Sequence, residues 1–135
     1  MTELGTFGAV VGFALDLERR AAEFYQSLIE GDGAGSASEI LQALARAHKK
    51  RQQLMEQMRR ENVTEMILEP IHGLEREEWE IALGAGADEA AGLERHIADY
   101  CLAASRKVSI PQVARQFGRL AAEGGGLEDQ ARLLG

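Results

Sequence analysis

Apolar side chains recur along most of the chain at alternating steps of three and four, the period of a helix that turns one face toward a core. One such row is Val11, Ala14, Glu18, Ala21, Tyr25 and Leu28, in which Glu18 is the only charge, and it predicts a helix over about residues 6–30. A second row, Leu41, Leu44, His48, Arg51, Met55 and Met58, has two polar members and predicts a helix ending near Asn62. That helix is expected to start at Ser36-Ala37-Ser38-Glu39, a capping-box sequence after the loop Gly31-Asp32-Gly33-Ala34-Gly35. The third row is Ala87, Ala90, Glu94, Ile97, Cys101 and Ala104, predicting a helix over 77–107 with a weak start around Gly84 and Gly86. The fourth is Val113, Phe117, Leu120, Gly124, Leu127, Ala131 and Leu134, without a polar side chain. It opens at Ser109-Ile110-Pro111-Gln112, where Ser fits a cap, Pro an early turn and Gln the return bond.

The first half of the chain reappears in the second at a fixed offset of 76 residues. Leu17-Glu18-Arg19 becomes Leu93-Glu94-Arg95, Phe24 becomes Tyr100, and Leu41, Leu44 and Ala45 become Phe117, Leu120 and Ala121. Each half is thus a helical hairpin, one over 6–62 and one over 77–134, separated by a linker over 63–76 that carries Pro70 and Gly73. A linker of that length can cross a bundle, whereas the loop at 31–35 can only join neighbouring helices. The expected fold is all-α: a single ferritin-like four-helix domain over 1–135, made of two repeated hairpins and a long crossover.

Composition narrows the function classes. A net charge of -7 without a Lys/Arg stripe argues against a nucleic-acid partner, because phosphate contacts carry most of that affinity. The short basic run Lys49-Lys50-Arg51 is expected on a solvated face. One cysteine, Cys101, rules out an internal disulfide framework. No apolar run reaches the ~18 residues of a membrane span, and the N-terminal segment lacks the pattern of a signal peptide, so the cytoplasm is the expected compartment.

The candidate chemistry lies where the rows are interrupted. Carboxylate-bridged two-metal bundles take one Glu from each of two helices, and a Glu with a His three residues later from each of the other two, so that carboxylate and imidazole converge from one face. Glu18 and Glu94 meet the first requirement. Where the second would be met, the chain has His48 and Arg51 in one helix and Gly124 and Leu127 in the other.

On Glu18-x6-Tyr25, Leu44-Ala45-x-x-His48-x-x-Arg51, Ala90-x-x-x-Glu94 and Leu120-Ala121-x-x-Gly124-x-x-Leu127, the chain resembles a rubrerythrin-type member of the ferritin-like superfamily. The resemblance implies di-iron redox chemistry, such as peroxide reduction or ferrous oxidation, and a dimer paired through helix faces. The family pattern would place Glu at 48 and 124 and His at 51 and 127, and all four differ here. A single cysteine also cannot build the family's rubredoxin-like iron site.

Arg51 cannot ligate a metal and would repel one. Two buried carboxylates about 5 Å apart repel by about 3 kcal/mol at an effective dielectric near 20, so they require a counter-charge or a proton. The expectation is a central ion network of Glu18, Arg51 and Glu94 with His48 attached, no cofactor, and a structural or partner-binding role as a homodimer. The alternative is one Fe, Mn or Zn ion on Glu18, His48 and Glu94, serving an oxidoreductase or iron-handling protein. A third reading is a small-ligand site in the core.

Tyr25, Cys101, Gly124 and Leu127 are expected to line the centre. Tyr25 is expected as a core hydroxyl with a polar partner, and Cys101 as inert packing unless Arg51 lowers its pKa. The run Gly124-Gly125-Gly126 either breaks the fourth helix, letting Glu123 turn inward, or admits a close neighbour. Met55, Met58 and Met66 are expected as core filler, His72 and His96 at the surface, and Trp79 over one end of the core or in an oligomer contact.

Overall fold

A computed structural model describes residues 2–31, 35–62, 70–84 and 86–134, leaving aside the side chain of Ser36. These residues contain five α-helices: α1 (Phe7–Glu30), α2 (Ser38–Glu61), α3 (Arg76–Trp79), α4 (Ala90–Lys107) and α5 (Pro111–Arg132). Single 3-10 turns, Gly35–Ala37 and Ala87–Glu89, lead into α2 and α4. There is no strand among the described residues, and the one β-bridge, Glu3 to Glu75, is isolated.

The buried faces follow the predicted rows. All six members of the α2 row are buried, as are Val11, Ala14, Glu18, Ala21 and Tyr25 of α1 and Ala90, Glu94, Ile97, Cys101 and Ala104 of α4. Together with Val113, Phe117, Leu120 and Ala131 of α5, their apolar members belong to one continuous core. Each large apolar side chain enclosed this way contributes roughly 1.5–3 kcal/mol. The closest pairings are α1 with α2 and α4 with α5, while the two pairs meet through α1–α4 and α2–α5. The end of α2 lies by the start of α5, where the Gln112 amide donates to Asn62 Oδ1 at 3.1 Å.

The helix starts depart from the sequence expectation in three places. The long third helix is interrupted: α3 ends at Trp79, residues 80–84 are outside any helix, and the continuous α-helix begins only at Ala90. The Glu89 carboxylate fixes that start by accepting from the amides of Gly84 (2.8 Å) and Gly86 (3.3 Å). At α5 the cap is Ile110 and not Ser109, with no side-chain cap bond; Pro111 alone sets the first turn, and Gln112 is engaged with Asn62. At α2 a 3-10 turn precedes the helix and the N-cap is Ala37; the side chain of Ser36, on which the expected capping box depends, lies outside the described residues. At α1 a side chain caps the helix, with Thr6 Oγ1 accepting from the Ala9 amide at 3.0 Å. Residues 63–69 of the linker over 63–76, Met66 included, lie outside the described residues, as do 32–34 of the first loop.

Residues 70–75 return along the N-terminal segment. Leu4 N donates to Leu74 O at 2.7 Å and Ile71 N to Gly5 O at 2.9 Å, burying Leu4, Ile71 and Leu74. Trp79 then covers one end of the core, 5.6 Å from Tyr100 and 5.6 Å from the ring of His96. His96 is therefore half-buried and bonded to Trp79 O at 2.6 Å, not a free surface residue; His72 is exposed.

No helix among the described residues is long and apolar enough to cross a membrane.

Candidate functional site

Among the described residues, four acidic or basic side chains are enclosed in the core: Glu18 from α1, His48 and Arg51 from α2, and Glu94 from α4, none more than 5% exposed. The three-residue step from His48 to Arg51 places both on the buried face of α2, opposite the two carboxylates. His48 lies between them. Its Nδ1 is 2.5 Å from Glu18 Oε1 and its Nε2 is 2.7 Å from Glu94 Oε2. A neutral imidazole has one donor and one acceptor, so two carboxylate oxygens at its two nitrogens are served by the imidazolium form. Burial acts against that charge, but the hydrogen bonds and attraction of Glu18 and Glu94 overcome it and raise the pKa from 6.5 to about 9.

Arg51 completes the neutralisation from one side only. Its Nε donates to Glu18 Oε2 at 3.1 Å, whereas no hydrogen bond joins it to Glu94. The expected Arg-centred bridge is thus corrected to a His-centred one, because the flat ring fits between the carboxylates and the longer Arg51 side chain reaches past them toward α5. Two carboxylates, one imidazolium and one guanidinium sum to zero charge.

Tyr25 donates to Glu94 Oε2 at 2.5 Å, and its ring stacks on the His48 ring at 5.7 Å with an interplanar angle of 16°. Burial and the Glu94 carboxylate push its pKa upward, so it acts as a fixed donor. Cys101 Sγ lies 3.9 Å from Arg51 Nη2, yet burial outweighs the guanidinium and pushes the thiol up to about 12. A thiol that stays protonated is a poor nucleophile.

The glycine run does not break α5, which continues to Arg132. Gly124 is needed for close packing: a Cβ there would lie 2.5 Å from the Cβ of Ala98, so α4 and α5 touch almost backbone to backbone. Gly124 therefore backs onto α4 and takes no part in the polar cluster. Leu127 lies outside the cluster too, half-buried in a groove between α2 and α5. Glu123, expected to approach only through an unwound helix, reaches Arg51 from intact helix, with its Oε1 3.7 Å from Nη1. Its position one turn after Leu120 was the available signal, since the Leu120 carbonyl also meets Arg51 Nη1, at 3.5 Å.

As arranged, these donors do not suit one metal ion. Glu18 and Glu94 sit at opposite nitrogens of one ring, and a guanidinium holds Glu18. Among the described residues no group of three or more His, Cys, Asp or Glu side chains is placed to hold a metal. Compared with protein-family models, curated proteins and solved structures, the chain matches none.

Proposed function

We propose that this chain is a ferritin-like four-helix bundle of the rubrerythrin type, built from two repeated hairpins and a crossover, whose role is structural or binding and not catalytic. A charge-neutral network takes the position where such bundles hold two metals. The observation that carries this reading is His48 bonded through both ring nitrogens, which uses the imidazole and both carboxylates on one another. In this reading the protein is a cytoplasmic homodimer with a protein partner or small ligand, and it has no nucleic-acid or membrane role.

A second reading keeps one Fe, Mn or Zn ion on Glu18, His48 and Glu94 in a reduced oxidoreductase or iron-handling site. The proximity of three good donors favours it. It requires one carboxylate to leave its ring nitrogen and Arg51 to release Glu18.

Elemental analysis separates the two, on protein expressed with added iron and manganese and purified without chelator or affinity metal. The network reading expects less than about a tenth of an equivalent per chain. About one equivalent, lost in Glu18→Ala, would establish the metal site instead.

A further inference from the structure

The groove between α2 and α5 has a volume of about 580 Å³, within the size range of small-molecule sites. Its walls include the apolar Ala47, Leu54, Leu120 and Leu127 beside the polar Gln53, Gln57 and Gln130, and a Cβ on Gly126, which also lines it, would meet nothing within 4 Å. Arg51 reaches the groove from the buried network, and Lys50 stands at its exposed rim.

Arg51 is the informative member. A guanidinium has five N–H donors, and here only Nε has a good acceptor, Glu18. The terminal nitrogens have poor ones: Nη1 meets the Leu120 carbonyl at 3.5 Å and Glu123 at 3.7 Å, and Nη2 meets the Cys101 sulfur at 3.9 Å. Hydrogen bonds to a guanidinium are normally near 2.7–2.9 Å when a carboxylate accepts them. Nη1 is thus a buried charged donor whose two acceptors are both long, and Arg51 lines the groove. Glu123, largely exposed, already brings a carboxylate oxygen to the edge of the fork and marks the approach.

We propose that the α2–α5 groove binds a monocarboxylate with an apolar body, its head on Nη1 of Arg51 in place of Glu123 and its tail along Leu54, Leu120 and Leu127. A monoanion fits because one terminal nitrogen of the guanidinium, Nη1, meets the groove-lining residues and, among the described residues, Lys50 supplies the only further positive charge lining it. The inference rests on the metal-free reading of the centre, since a metal ion would take Glu18 from Arg51 and reset the fork. Metal content therefore tests that reading separately.

The test is titration calorimetry of the full chain, confirmed as metal-free, with decanoate, and with decanol as a probe of equal tail and no charge. Decanoate is expected to bind at least about tenfold more tightly than decanol. Glu123→Gln removes the competing carboxylate and should tighten decanoate binding about three- to tenfold, while Gly126→Phe fills the groove and should abolish it without touching the buried network. Equal binding of decanoate and decanol would overturn the Arg51 head-group site. Unchanged binding in Gly126→Phe would overturn the groove, and no decanoate binding up to about 1 mM would overturn both.

Discussion

His48 and Glu18 are joined at 2.5 Å in a core from which solvent is excluded on both sides, and the same ring holds Glu94 at 2.7 Å through its other nitrogen. A single charged imidazole thus bridges helices α1, α2 and α4. Such a bridge transmits its protonation state directly into stability.

The folded-state pKa of His48 is raised above its unfolded value, from 6.5 to about 9. Its contribution is therefore complete below about pH 6.5 and is lost as pH rises through about 9, because only the folded state keeps the proton in that window. The difference is on the order of 3 kcal/mol. Thermal denaturation followed from pH 6 to 10 should give a Tm that falls across this interval. In His48→Gln the fall should flatten, and an equally steep fall in that variant would remove His48 as its source.

Replacing Arg51 with Met leaves Glu18 without its guanidinium and should destabilise the fold by roughly 3–5 kcal/mol in denaturant unfolding. Adding Glu18→Gln removes the excess negative charge that His48 alone cannot balance, and the double variant should recover part of that loss. Simple addition of the two single effects would show that Arg51 and Glu18 are not coupled.

Gly124 and Gly125 are adjacent in one helix and should respond oppositely to Ala. At Gly125 a Cβ meets nothing within 4 Å, so Gly125→Ala should stabilise by about 1 kcal/mol through helix propensity. At Gly124 the new Cβ meets Ala98 at 2.5 Å, and the α4–α5 contact must open, costing about 1–3 kcal/mol despite the same propensity gain. Urea denaturation of the two variants checks the sign of each effect.

The rows of apolar residues made the long helices and their buried faces legible in the sequence, because a 3.6-residue period needs no tertiary information. Glu18, His48 and Glu94 were legible as buried for the same reason, whereas Arg51 belonged both to a buried row and to the basic run Lys49-Lys50-Arg51 expected on a solvated face, and the structure buries it. Which of the two cations bridges the carboxylates was not, since that depends on side-chain reach across the core, and periodicity is silent on reach. The late start of α4 was likewise hidden: the row from Ala87 to Ala104 gave the face, but the non-helical residues after Trp79 are held by contacts such as Gly84 N to Glu89. Arg51's second carboxylate, Glu123, was seen only as a consequence of helix breaking, because three successive glycines outweighed the packing need at Gly124.

The measurement closest to the central claim is the nitrogen chemical shift of the His48 ring, followed by NMR on uniformly labelled protein from pH 6 to 10. The account predicts two protonated ring nitrogens at pH 7 and a titration near pH 9. A neutral ring at pH 7, with one unprotonated nitrogen, would contradict it.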